Sequence, residues 1–285
     1  MTGELGDDCV IVIGYGEVGR AFGDHIERAG RRVAYVDPVA ENVAPNATLL
    51  RDVPWEVPDR TLILGAIPSA AARDVAVNLA AIRNEFLYVD LSSSPPALMK
   101  ECAGILEEAG RSFVDGAIMG SVDLAGAHAP IILSGPASQK AASDLAALGF
   151  DAKSLQGSQA GDACGLKLLR TLMTKGIEVL AIECFAAATA MGLGSEIREN
   201  LTDVCARPFP DLLDAMVRSH VVHATRRKHE VEAAIAQAST LGLEVSVTRA
   251  VLSVYSRTEE RIALERPNLP MTTDEAVSWL ANGMR

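Results

Sequence analysis

Gly14, Gly16 and Gly19 stand in the spacing G-x-G-x-x-G, with Tyr15, Glu17 and Val18 between them. Glycines so spaced let backbone N–H groups approach an anion, and a helix opening there turns its positive end to the same point. Asp37 lies 23 residues after Gly14, where a carboxylate can accept hydrogen bonds from paired sugar hydroxyls. Farther on, Lys167, Thr171, Thr174 and Glu178 are spaced four, three and four apart. On a helix they form one polar stripe. Its lysine can give or take a proton. The free pKa of about 10.4 must fall for the base role, and partial burial or a neighbouring cation such as Arg170 or Arg227 lowers it.

The elements around these residues decide how to read them. Cys9–Ile13 is a β-prone run and Gly19–Ala29 a helical pattern closed by Gly30. The glycine motif thus follows a strand and opens a helix, the context that marks dinucleotide binding. An ordinary glycine turn is the plainer alternative. Asp37 ends the next strand, Arg32–Val36, where it accepts from the adenine ribose of NAD and repels the 2′-phosphate of NADP. NAD is therefore expected over NADP.

Strand-like and helical runs then alternate. Thr61–Leu64, Phe86–Leu91, Ser112–Val114 and Ile131–Ser134 read as strands; Ala70–Ile82, Pro96–Ala109 and Ser138–Leu148 read as helices. Such alternation implies a parallel sheet covered by helices. From Gly161 to Met191 one helical period continues without proline. The expected fold is an α/β Rossmann domain over 1–160, then an all-α domain over 161–285, joined by a long interdomain helix. In the second half Ser195, Ser246 and Thr272 are N-cap candidates, the last with Glu275 in capping-box register. Pro208 and Pro210 mark a turn before further helix, and Ser219–Leu241 is a long helix.

Composition narrows the partners. The charge sum is 26 − 37 = −11, against nucleic acid or an anionic membrane, which select clustered Lys and Arg. No apolar run reaches the ~18 residues that span a bilayer. Cys9, Cys102, Cys164, Cys184 and Cys205 show no C-x-x-C pair and no metal-ligand spacing, which fits a reducing, cytoplasmic setting. No bound metal is expected. The apolar, alanine-rich second half offers more helical surface than one small domain covers, so a homodimer or higher oligomer is expected.

Further stretches carry a resemblance: Ile67-Pro68-Ser69 after one strand, Asp90-Leu91-Ser92-Ser93 after the next, Asp115 through Met119-Gly120-Ser121 after that, and Lys167 near the start of the long helix. Together they resemble the β-hydroxyacid dehydrogenase superfamily, in particular its 6-phosphogluconate-dehydrogenase-like NAD-binding branch. The resemblance spans nearly the whole chain. It implies that Ala66, Ile67, Pro68 and Ser92 lie near the nicotinamide, that Met119, Gly120 and Ser121 hold the carboxylate end of a small anionic substrate, and that Lys167 is the catalytic acid/base. Two positions depart from the better-known members. Met119-Gly120-Ser121 replaces Ser-Gly-Gly, and Thr171 stands where they have Asn. Both changes touch substrate groups.

The polar stripe is then either a solvated face or a site wall. A Rossmann domain needs a substrate wall beside its cofactor, and ligand sites form where domains meet, so the wall is the reading adopted. His220, His223, Arg226, Arg227, Lys228 and His229 crowd one later helix. They form either a solvated face paired with Glu230 and Glu232, or, as the resemblance implies, a cationic cover in which His223 and Arg227 reach substrate. The expected activity is hydride transfer between nicotinamide and a small hydroxy acid or its carbonyl partner. Imine reduction is a second class that the architecture supports, although imine reductases commonly lack the lysine. An NAD-sensing binding protein is a third, disfavoured because sensing needs no proton carrier.

Overall fold

The computed structural model describes residues 5, 6, 8–41, 43 and 47–284. The side chain of Cys205, one of the five cysteines, lies outside the described residues, as does that of Asp203. By internal contacts the chain divides into two compact units, Met1–Arg170 and Thr171–Arg285.

The first unit alternates β1 (Cys9–Ile13), α1 (Glu17–Arg28), β2 (Arg32–Val36), β3 (Thr48–Leu50), β4 (Thr61–Gly65), α2 (Ala72–Ala80), β5 (Phe86–Asp90), α3 (Pro96–Glu108) and β6 (Ser112–Ile118). There follow α4 (Val122–Ala125), β7 (Ile131–Ser134), α5 (Ser138–Ala147) and β8 (Ala152–Ser154). The eight strands form one sheet in the order β3-β2-β1-β4-β5-β6-β7-β8. Every residue of β1, β4 and β5 is buried, because helices cover both faces of the sheet. Phe22 and Ile26 of α1 and Leu145 of α5 pack on one face, and Leu79, Met99 and Leu106 of α2 and α3 on the other. Strands apolar on both sides are the signature of a parallel sheet covered in this way.

The pairing is parallel from β3 through β6. The expected parallel run stops there: β7 is antiparallel to β6, with Asp115 opposite Ser134 and Ile118 opposite Ile131. The segment from β6 to β7 holds only the short helix α4 and one further turn, and the chain turns back beside its own strand. β3 and β8, of three residues each, carry no periodic signal and were not among the expected strands.

α6 (Asp162–Ala190) runs for 29 residues, and the boundary between the two units falls inside it. The second unit continues with α7 (Gly194–Asn200), α8 (Phe209–Thr240), α9 (Ser246–Glu265) and α10 (Thr273–Asn282). Its small core gathers Ile235, Ala238 and Val245. α8 begins at Phe209, with Pro210 in its first turn, where the missing N–H costs nothing. The proline pair thus marks the start of a helix as expected, and that helix runs on, through a kink at His223, over the expected Ser219–Leu241 span. Ser195 lies inside α7, whose N-cap is Leu193. Ser246 is the first residue of α9 and not its cap. There the Glu183 carboxylate substitutes, accepting the Val247 N–H at 2.7 Å and the Thr248 N–H at 3.0 Å. Burial alone would raise the Glu183 pKa; the Thr248 hydroxyl and these two amides outweigh it and hold the carboxyl below its usual range. Thr272 and Glu275 do form the capping box of α10.

Candidate functional site

The strand order reverses between β1 and β4: β2 and β3 continue to one side, β5 and β6 to the other. A crevice opens outside the carboxyl ends of the strands at such a point. Here it is a cavity of about 480 Å³. Gly14, Gly16, Glu17 and Val18 line it from β1 and α1, and Asp37 from the end of β2. Ala66, Ile67, Pro68 and Ser69 line it after β4, and Leu91, Ser92 and Ser93 after β5.

The glycine turn is shaped by contact. Gly14 has φ +97°, and a Cβ there would lie 2.2 Å from the Ala66 carbonyl oxygen. A Cβ on Gly19 would lie 2.0 Å from the Gly14 oxygen. Gly16 differs: a Cβ there would meet no protein atom within 4 Å. Gly16 is also the N-cap of α1 and brings no side chain to it. The helix N-terminus thus faces an open cradle suited to an anion. Tyr15 turns its ring away, edge-on to Tyr35 at 4.7 Å between centroids.

Asp37 is held by the same turn. Its Oδ2 accepts the Tyr15 N–H at 2.8 Å, and its Oδ1 accepts the N–H groups of Val39 and Ala40 at 2.9 and 2.8 Å. Burial alone would raise its pKa, but these three amides and the nearby Arg51 guanidinium outweigh it and hold the carboxyl below its usual range. A carboxylate has about four acceptor sites, so one remains for a sugar hydroxyl. Arg51, absent from the sequence expectations, follows β3 and donates from Nη1 to the Ala40 carbonyl at 2.6 Å. It brings a cation beside Asp37. Glu17, on the opposite lip, has its carboxyl raised by a hydrogen bond shared with Asp123 and by that group's charge.

A hydroxyl network lines the far wall. Ser92 and Ser94 are buried, with their Oγ atoms 2.6 Å apart, and the Ser94 hydroxyl donates to Ser69 Oγ at 3.0 Å. Beneath them Asp90, fully buried, accepts the Ser92 N–H at 2.8 Å and the Tyr88 hydroxyl at 3.0 Å. Burial pushes the Asp90 pKa up. Ser94 and Arg51 are functional candidates absent from the sequence reading, which quoted Asp90 and Asp115 only as part of the resemblance and gave them no role. An acidic residue at a strand's end followed by three serines was the available signal for Asp90 and Ser94.

Lys167 comes to this wall from α6. Its Nζ donates to Ser93 Oγ at 2.7 Å. Burial lowers the amine's pKa; Cys164 opposes that shift and Arg170 adds to it. Lys175, farther along α6, is exposed and pairs with Glu178 at 2.6 Å. The first unit therefore brings the glycine turn, Asp37, the Ala66–Pro68 loop and Ser92 to one crevice, and Lys167, not itself among the lining residues, reaches its edge through Ser93. Met119, Gly120 and Ser121 continue past the carboxyl end of β6 and are not among the residues lining the cavity; the Met119 N–H donates to the Pro130 carbonyl at 2.7 Å.

Thr171, His223 and Arg227 belong to the second unit. α8 is kinked at His223, whose φ is −118° and ψ 16°, so the spacing of four to Arg227 is not that of a regular helix face. Arg227 donates to Ser219 Oγ at 2.9 Å and, with His220, Tyr255 and Leu280, lines a separate cavity. Around it, Arg226 pairs with Glu230, and His229 with Glu232 at 3.0 Å. Among the described residues no group of three or more His, Cys, Asp or Glu is placed to hold a metal ion.

Residues 9–149 match the NAD binding domain of 6-phosphogluconate dehydrogenase, and residues 188–258 match a domain of unknown function, DUF1932. The chain thus carries an NAD-binding domain of the 6-phosphogluconate dehydrogenase type over residues 9–149 and a DUF1932 domain over residues 188–258. A relative from Methanothermus fervidus, described as an uncharacterized 28.5 kDa protein in the 7S RNA 5′ region, is 29% identical over 175 residues. That match spans 61% of this chain and 66% of the relative, just under two thirds of its length. Solved structures share the fold at lower identity. An imine reductase from Aspergillus terreus, in complex with NADPH4 and dibenz[c,e]azepine, has TM-score 0.77 and 19% identity over 95% of this chain and 99% of its own. An imine reductase variant from Myxococcus stipitatus, in complex with NAD+, has TM-score 0.75 and 20% identity over 97% and 99%. Among the described residues no helix is long and apolar enough to cross a membrane.

Proposed function

We propose that this chain is an NAD-dependent oxidoreductase that interconverts a small hydroxy acid and its carbonyl partner, with Lys167 as general acid/base. One observation carries the reading: the Lys167 amine, its pKa lowered chiefly by burial, donates to Ser93 on the wall of the crevice that the glycine turn opens. The Gly14–Gly19 turn, with Tyr15, Gly16, Glu17 and Val18, would hold a pyrophosphate, and Asp37 the adenine ribose. Ala66, Ile67, Pro68 and Ser92 would wall the nicotinamide end. A bound nicotinamide supplies the hydride acceptor or donor. Oxidation of the alcohol removes the carbinol hydrogen as hydride, forms the carbonyl, and leaves the hydroxyl proton for a neutral Lys167 Nζ. In reduction the Lys167 ammonium returns that proton to the carbonyl oxygen as hydride arrives at carbon.

Met119, Gly120 and Ser121 are the proposed holders of the substrate's anionic end, with Thr171, His223 and Arg227 as further contacts. The free thiols of Cys9, Cys102, Cys164 and Cys184 fit a reducing, cytoplasmic location. The protein is read as a homodimer that binds neither nucleic acid nor membrane. Imine reduction is the second reading, favoured by the fold shared with the Aspergillus and Myxococcus imine reductases. Lys167 counts against imine reduction without excluding it, because imine reductases commonly lack the lysine. Turnover of a panel of 2- and 3-hydroxy acids with NAD+, set beside cyclic imines with NADH and followed by nicotinamide absorbance, tests the choice. Turnover of hydroxy acids supports the first reading. Turnover of imines alone contradicts it.

A further inference from the structure

We propose that Asp115, with Ser134 as its partner, is the positioning residue that sets Lys167 in the crevice. The proposal rests on the reading of Lys167 as proton carrier. A helix begins with N–H groups that have no partner within it. A side chain at the N-cap usually accepts one of them. In α6 that position is Gly161, with φ +96°, where a Cβ would lie 2.7 Å from the Pro96 carbonyl oxygen. The cap comes from the sheet instead. Asp115 Oδ2 accepts the N–H groups of Gly161 at 2.9 Å and Cys164 at 3.1 Å, and the Ser134 hydroxyl at 2.9 Å. Ser134 Oγ in turn accepts the Ala163 N–H at 2.9 Å. Asp115 Oδ1 accepts the Cys164 thiol at 2.9 Å. Burial, with Asp115 itself, pushes that thiol's pKa up and keeps it a donor. Asp115 and Ser134 are opposite residues of β6 and β7, both fully buried.

Cys164 and Lys167 are three residues apart, hence neighbours on one face of α6. Anchoring the first therefore places the second. The other side of the Lys167–Ser93 contact is anchored in the same way. Asp90, the register partner of Asp115 on β5, holds the Ser92 N–H. Two buried acids on adjacent strands thus fix the helix that carries the lysine and the loop that carries its serine. A buried pair of acids costs a sheet more than apolar residues would. The cost has a purpose if the pair sets the position of a proton carrier.

The test compares wild type, Asp115→Asn, Ser134→Ala, Lys167→Ala and the Asp115→Asn/Lys167→Ala double variant, each checked for folding by thermal melt. Three quantities are read: NADH affinity by fluorescence titration, kcat with the hydroxy acid turned over fastest, and the pH midpoint for acetylation of Lys167 by acetic anhydride, followed by mass spectrometry. Asp115→Asn should lower kcat by about 10- to 100-fold, the scale of a small misplacement of a reacting group, with NADH affinity within about twofold. The Lys167 midpoint should rise toward that of ordinary lysine, because burial is the main cause that lowers it. In the Lys167→Ala background Asp115→Asn should cost nothing further. An unmoved midpoint in folded Asp115→Asn overturns the proposal. So does an equal loss of kcat in both backgrounds. If Lys167→Ala keeps full activity while Asp115→Asn still moves the midpoint, the positioning stands and the proton-carrier reading fails. If Asp115→Asn does not fold, Ser134→Ala, which leaves both Asp115 backbone contacts in place, must show the same midpoint shift in smaller measure.

Discussion

Lys167 Nζ and Ser93 Oγ meet at 2.7 Å although they lie 74 residues apart in sequence. The contact joins the first turns of α6 to the loop after β5, within the unit that carries the glycine turn. It brings Lys167, the first residue of the polar stripe, against a serine that lines the crevice.

The pH dependence follows from the direction of the Lys167 shift. Burial disfavours the ammonium and lowers the pKa from its ordinary 10.5. Alcohol oxidation uses the neutral amine, so kcat should rise with pH to a plateau, its midpoint below that of free lysine. Carbonyl reduction uses the ammonium and should fall through the same midpoint. Initial rates in both directions across pH 6–11 measure this. Limbs that rise together, or an oxidation rate independent of pH, would contradict it.

On the proposed function, cofactor choice turns on Asp37 and Arg51. The Asp37 carboxyl is held below its usual range, so it is charged at neutral pH and repels a 2′-phosphate, while Arg51 beside it attracts one. NAD+ should show the higher kcat/KM. Asp37→Ser should narrow the gap by improving NADP+, and Arg51→Ala should widen it. Equal or better efficiency of the wild type with NADP+ would overturn the assignment.

The glycines should separate stability from binding. Gly14→Ala forces a Cβ against Ala66 at a positive φ and should destabilise the fold by about 1–3 kcal/mol. Gly16→Ala meets open space and should melt near wild type, yet lose NADH affinity by tenfold or more. Calorimetric melts and fluorescence titrations of the two variants decide it. Tight NADH binding by Gly16→Ala would mean that the cradle is not the phosphate site.

Much of the Rossmann half is legible because its signals are local. Buried strands, the glycine turn and the Asp37 spacing all lie within short windows, and the capping box at Thr272 needs four residues. What escaped the sequence depends on distant partners. Glu183 caps α9 from another helix, and Asp115 with Ser134 caps α6 from two strands. β3 is too short for a period of two to register, so Arg51 after it went unnoticed. The kink at His223 breaks a spacing that sequence alone treats as regular.

The proposed homodimer rests on exposed apolar side chains along α6. Leu172 is 76% exposed and Ile182 61%, with Leu169, Met173 and Ile177 exposed nearby. On that reading a second copy of the chain covers this apolar surface. Light scattering at micromolar concentration should give at least twice the 30.1 kDa chain mass. A mass near 30.1 kDa would refute the dimer.

The most direct test of the account is pre-steady-state turnover by Lys167→Ala. With NAD+ saturating and the best hydroxy acid of the panel, NADH formation should slow by about 10²–10⁴-fold. NADH affinity should stay within about twofold of wild type, and Lys175→Ala should run near the wild-type rate. A folded Lys167→Ala protein that forms NADH as fast as wild type would contradict the central claim.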